Sequence, residues 1–286
     1  MTGPWVMGPG AVQGGRLSRP GPFESGLTVE SERALRAAGF APTRRVLGAT
    51  VFRLSTKGMW NCGATPFAIG QTLRSLEVGP IQEAHAHCRR LAFDRLAQEC
   101  AGAGSDGVVA TGLELELIAG VGHEYLAQGT AIRSGGQVRP PRPFVAGLSG
   151  KRFAALLRAG WVACGMAVGV GVTVRHDDLR TRLTGLSMAN QELPAFTELV
   201  ALARWRAREM LIADCARIGA EGLVLHHNTS FASHHECTRT ARNYLTEGGD
   251  VQDIMVTVTM WGTGLVPFAA HLGGTPPELV INLNDL

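Results

Sequence analysis

The side chains best able to do chemistry gather in one run, His226-His227-Asn228-Thr229-Ser230-Phe231-Ala232-Ser233-His234-His235-Glu236-Cys237, which holds four of the nine histidines with a thiol and a carboxylate. Imidazole and thiolate are ligands for zinc, copper or nickel, and a fold in the short chain between the two His-His pairs would bring them together. His226, His227, His234, His235 and Cys237 are therefore the candidate metal ligands. The spacing matches no standard zinc finger, and neighbouring side chains in an extended strand point to opposite faces. The alternatives are a polar surface loop beside a subunit contact, or a catalytic or pH-sensing role for the imidazoles.

Other groups are weaker candidates. His85 and Cys88 lie three apart in a helical run, within ligand reach of each other, but Cys88 falls on the apolar stripe. Asp106 and Glu221 could act as acids or bases, and each equally suits a helix-to-strand turn in which a carboxylate binds local N–H groups. Gly165 to Gly171 has glycines like a phosphate loop, yet no Lys-Ser/Thr follows it and it lies within an apolar strand run. No Gly-x-Ser-x-Gly or His-Glu-x-x-His motif occurs, so a non-enzymatic role is expected.

The elements that position these groups come in two copies. Pro22-Phe23-x-x-Gly26-Leu27 recurs as Pro143-Phe144-x-x-Gly147-Leu148, Ala38-Gly39-Phe40 as Ala159-Gly160-Trp161, and Gly48 as Gly169, all at an offset of 121. Arg89-x-x-Ala92-x-Asp94-x-Leu96-x-x-Glu99-Cys100 is answered by Arg204-x-x-Ala207-x-Glu209-x-Leu211-x-x-Asp214-Cys215 at an offset of 115. Gly129-Thr130 matches Gly262-Thr263 at 133, so the second copy gains 18 residues before its last strand, an insertion expected within 226–237.

Each copy reads as an extended segment, a helix and two strands. Ala84, Cys88, Ala92, Leu96 and Cys100 share one helix face, as do Leu199, Ala203, Ala207, Leu211 and Cys215. Gly104 and Gly219 follow as left-handed helix ends, and alternation takes over at Leu113 to Leu117 and at Ile254 to Met260. The expected class is α+β, two tandem two-layer β-α-β-β units. The expected boundaries are a Gly/Pro-rich N-terminus at 1–21, a first domain at 22–133, a linker at 134–142, a second domain at 143–271 and a tail at 272–286.

The formal charge of +3 comes without a lysine- or arginine-rich block, which argues against nucleic acid as a partner. The most apolar stretch, Trp161 to Val174, is short and glycine-broken, and reads as a buried strand, with no membrane span expected. The opening residues have no apolar run of signal-peptide length and the six cysteines form no CxxC pair, so a cytoplasmic protein with reduced thiols is expected.

The helix followed by Gly-x-Asp-x-Val-Val, carried by Arg89, Ala92, Leu96, Gly104, Asp106, Val108 and Val109, resembles the bacterial YbjQ-like heavy-metal-binding family. Arg204, Ala207, Leu211, Gly219 and Val224 stand on the same pattern, with Glu221 for the Asp and Leu223 for a Val. That family's loop between first strand and helix is replaced here by Lys57 to Gly63. The resemblance implies dodecin-like units in rings of five domains, hence a homo-oligomer in multiples of five chains. With the His/Cys run it implies a non-enzymatic, ring-forming protein that binds a transition metal (zinc, copper or nickel) through the second copy. Two alternatives are a small-molecule ring with Trp60, Trp161, Trp205 and Trp261 in inter-subunit pockets, and a metal-dependent hydrolase.

Overall fold

A computed structural model describes residues 26–53, 75–119, 121–136, 139–176, 190–236, 252–268 and 281–282. The Gly/Pro-rich start, the Lys57 to Gly63 loop with Trp60, Cys62, Cys237 and most of the C-terminal tail lie outside these residues.

Two short helices open the two halves, each capped by a hydroxyl. In α1 (Val29–Ala37) the Thr28 side chain accepts the Ser31 N–H at 3.3 Å, and in α3 (Gly150–Arg158) Ser149 accepts that of Arg152 at 3.4 Å. The two long helices, α2 (Gly79–Gly102) and α4 (Pro194–Arg217), each carry a proline in the first turn, Pro80 and Pro194, which has no N–H to leave unpaired there. Both end on the expected glycines, Gly104 at φ 65° and Gly219 at φ 72°.

The long strands are β1 (Phe40–Phe52), β3 (Gly107–Ile118), β4 (Gly122–Ser134), β6 (Trp161–His176), β7 (Gly222–Glu236) and β8 (Gln252–Pro267). Three two-residue strands, β2 (Leu76–Glu77), β5 (Phe144–Val145) and β9 (Ile281–Asn282), extend the sheet edges. The first sheet runs β1-β4-β3-β5 and the second β2-β6-β8-β7-β9, with antiparallel pairing throughout except for β3 with β5. The order helix, long strand, long helix, two long strands thus occurs over residues 29–134 and again over 150–267, in an α+β arrangement.

Register irregularities fall at matching places. β1 bulges between Pro42 and Arg44 and β6 between Ala163 and Gly165, while β3 bulges between Val109 and Gly112 and β7 between Leu225 and His227. One acid near the end of each long helix does the same task. Glu99 accepts the Leu47 N–H at 2.7 Å, and Asp214 accepts the Val168 N–H at 2.8 Å, each binding the helix to its strand.

Layers alternate as first sheet, α2, second sheet, α4. Cys88, Ala92, Leu96 and Cys100 of α2 are fully buried and pack with Val46 and Ala127 of the first sheet, at the spacing read from sequence. The opposite side of α2 meets Met166, Val168, Val170, Val172 and Val174 of β6. The alternate β6 positions face α4: a Cβ on Gly169 or Gly171 would strike the carbonyls of Ala207 and Ala203. Leu199, Ala203 and Ala207 close this second core with Ile254, Val256 and Val258. A smaller core joins α1 and α3, where Leu35, Phe153 and Leu156 pack together and Phe153 stacks on Phe144 at 5.4 Å.

One sequence expectation changes here. The strand β7 continues to Glu236 and pairs with β8 as far as Gln252, so residues 226–236 are sheet and not an inserted loop. Part of the gain lengthens β7 and β8 themselves, and the rest falls at 237–251, outside the described residues. Among the described residues no helix is long and apolar enough to cross a membrane.

Candidate functional site

The four histidines of β7 stand along one strand instead of converging. His227 and His234 are separated by roughly 23 Å of extended chain at about 3.3 Å per residue. His226 binds the Thr263 hydroxyl at 2.6 Å, and burial with Arg152 nearby lowers its pKa to about 4. His227, beside the bulge, stacks on Trp261 at 5.5 Å and binds Thr229 at 2.9 Å, and the His226 ring lies tilted 5.6 Å from the same indole. His235 binds Ser233 at 2.8 Å beside Asp253, and His234 lies exposed opposite Ile254. Among the described residues no group of three or more His, Cys, Asp or Glu is placed to hold a metal ion. The ladder with β8, irregular only at the bulge between Leu225 and His227, dictates this, because it spaces the two His-His pairs along the strand.

Asp106 is likewise structural, accepting the Ser134 N–H at 2.7 Å and pairing with Arg139 at 2.9 Å, while Glu221 is exposed. The tryptophans do not gather into a pocket. Trp261 is buried between the sheets, Trp161 lies half-buried against the α3 core, and Trp205 is 49% exposed on α4. Trp60 lies outside the described residues.

The polar cluster that sequence reasoning missed lies in the seam between α2 and the two sheets. Arg89, 4% exposed, donates to the His85 carbonyl at 2.9 Å and to Thr259 of the second sheet at 3.1 Å, and its guanidinium sits 5.1 Å from the centre of the Tyr125 ring. Tyr125 is fully buried, and its hydroxyl meets His85 Nδ1 at 2.6 Å. Burial, then the charges of Arg89 and His123, lower the pKa of His85 to about 3, and burial raises that of Tyr125 to about 12. Near neutral pH the phenol stays protonated and the imidazole neutral, so the cluster orients without exchanging protons. It ties a first-half helix to a second-half strand. Phe93 adds an edge-on contact with Trp261 at 6.3 Å. Cys88 stays an apolar neighbour, its thiol pushed up to about 11 by burial. The signal was faint in sequence, since Arg89 appeared only as one member of a helix repeat.

This seam shows what the two outer surfaces lack. The α2 stripe Ala86, Arg89, Phe93 is buried under the second sheet, whereas its counterpart on α4, Ala201, Arg204, Arg208, with Trp205 beside it, is exposed. On the sheets, Val168 and Val172 are fully buried against α2, while the matching Leu47 and Val51 on the far face of the first sheet are 57% and 48% exposed. A helix face and a sheet face of the kinds that pack together inside the chain are thus both open.

The chain is 28% identical over 211 residues to an encapsulin nanocompartment protein of Mycobacterium tuberculosis, a match spanning 71% of this chain and 76% of the relative. No family model matches the chain, and no solved structure matches it.

These findings correct two expectations from sequence. The YbjQ-like assignment is overturned: with no family model matching, the helix followed by Gly-x-Asp-x-Val-Val is a general way to leave a helix, and the likeness found is to an encapsulin nanocompartment protein. The heavy-metal role falls with it. His226, His227, His234 and His235 are held apart by strand pairing, and Cys237 lies outside the described residues.

Proposed function

We propose that this chain is a self-assembling protein whose working form is a homo-oligomer, as the nanocompartment relative's name suggests for that protein. The observation that carries the proposal is the pair of open faces, one with Leu47 and Val51 and the other with Trp205, on a chain whose interior already packs such faces together. Monomeric proteins rarely leave two such surfaces to water.

The repeated element order and the matched bulges support two tandem copies of one unit, with domains at 22–133 and 143–271. A dodecin-like unit and a multiple of five chains are the finer proposals. A cytoplasmic location accords with Cys88, Cys100 and Cys215, which are free, fully buried and packed as apolar residues.

Size-exclusion chromatography with light scattering on the untagged chain tests the proposal. A mass several times the 30.3 kDa of one chain is expected, and its ratio to that value reads the multiple of five directly. A 30.3 kDa species at all concentrations up to about 100 μM, ample for a standard-size specific interface, would refute self-assembly.

A further inference from the structure

We infer that assembly is head-to-tail: the outer face of α4 in one chain docks on the outer face of the first sheet in the next, repeating between chains the contact that α2 makes with the second sheet inside one. This rests on the self-assembly proposed above.

The internal contact supplies the template. Counting along each copy, Arg204 takes the place of Arg89, Trp205 of Arg90, and Arg208 of Phe93; on the receiving side Leu47, Ala49 and Val51 take the places of Val168, Val170 and Val172. Burial follows the template wherever the contact exists inside the chain. Arg89, Phe93 and the three valines are buried, and the corresponding α4 and β1 residues are exposed or half-buried. One missing layer at each end explains both open faces.

Charge complementarity selects a second copy as the occupant. The pairing of β1, β4 and β3 puts Leu47, Val51 and Leu126 on the outer sheet face together with Glu114, Glu116 and Glu124, and with Arg45, whose guanidinium donates to Gln128. The facing helix surface carries Arg204 and Arg208, neither of which makes a salt bridge among the described residues. Three carboxylates against the one guanidinium of Arg45 leave the sheet face net acidic, so it attracts the arginine pair, whereas two copies of either face would repel, and the contact joins unlike surfaces.

Shape agrees at the centre. Inside the chain, Phe93 rests on Trp261 beside His227; on the open sheet those places are held by the smaller Gln128 and Gly112, and a shallow depression forms there. Arg208, longer than Phe93, passes over that depression, whose far wall holds Arg45, and reaches Glu114, which already accepts from Gln128 at 2.8 Å. The β7 edge at Gly222 and Leu223 is paired with β9 inside the chain, so docking uses faces and not strand addition at that edge.

A heterologous contact closes into a ring or runs on as a filament, according to the rotation each step adds. The test compares wild type with Arg204→Glu/Arg208→Glu and with Glu114→Lys/Glu124→Lys by sedimentation velocity, with thermal unfolding as the check that each folds. Each charge-reversed variant is expected to associate about 100-fold more weakly or worse, and an equimolar mixture of the two to regain association, with the variants alternating. Cysteine pairing fixes the orientation: Arg208→Cys/Gln128→Cys should form inter-chain disulfides on mild oxidation, and neither single variant should. This arm also serves if a charge variant misfolds. Crosslinking by Arg208→Cys alone would show like faces meeting and overturn the inference. A wild-type oligomer unaffected by both reversals would overturn it while leaving self-assembly standing, and a wild-type monomer would remove both.

Discussion

Arg89 holds a full charge between two sheets with no carboxylate contributing to its environment, its charge met by a carbonyl, a hydroxyl and the face and hydroxyl of Tyr125. Truncating it strands those acceptors and leaves a cavity. Arg89→Ala should lower stability by about 2–4 kcal/mol, measured by urea unfolding. Its neighbour His85 makes stability depend on pH. Folding lowers its pKa from 6.5 to about 3, and that of His226 to about 4, so below pH 6.5 the unfolded chain takes up protons that the folded chain refuses. Stability is therefore fully present above pH 6.5 and lost as pH falls toward 4, by about 1.4 kcal/mol per pH unit for each histidine. His85→Gln should remove about half of that slope between pH 6 and 4.5; an unchanged slope in pH-dependent urea melts would place the effect elsewhere. None of this was legible from sequence, because His85 and Arg89 become special only through Tyr125 and Thr259, 40 and 170 residues away.

At the scale of elements, packing distance decides which residues are tolerated. A side chain at Gly171 would enter the backbone of α4 at Ala203, so Gly171→Ala should cost about 2 kcal/mol or more by thermal or urea unfolding. The two long helices, their glycine ends and the strand at Trp161 to Val174 were legible, since i, i+4 spacing and left-handed glycines are local signals, whereas the short helices α1 and α3 were not read from sequence. The course of β7 was not. A run of His, Ser, Thr and Asn reads as a loop by composition, and only its ladder with β8 makes it a strand. That misreading produced the metal hypothesis, because a loop can bring His227 to His234 and a strand cannot. Alternation also misled at Leu115 and Leu117, which are 47% and 73% exposed although they share a sheet face with the buried Tyr125.

For the whole molecule, a repeated chain packs its first helix under its second sheet and leaves one helix face and one sheet face uncovered. Duplication makes the helix-on-sheet contact visible once inside each chain, and the proposed assembly repeats it between chains. Trp205 stands on the open helix face with Arg206 stacked over its ring at 4.3 Å. Trp205→Ala should therefore weaken association by about 10- to 100-fold while leaving the unfolding temperature of the dissociated chain nearly unchanged, as expected for a surface aromatic at an interface. Sequence pointed to Trp205 only as one tryptophan of a possible inter-subunit pocket, and the surface that receives it could not be read there, since Leu47 and Val51 alternate like any half-buried strand.

Native mass spectrometry of the untagged wild-type chain, recorded over a range of concentrations, tests self-assembly most directly. A discrete oligomer, or a ladder of oligomers, built from whole chains of 30.3 kDa is predicted. A single-chain species across the whole range would contradict the account.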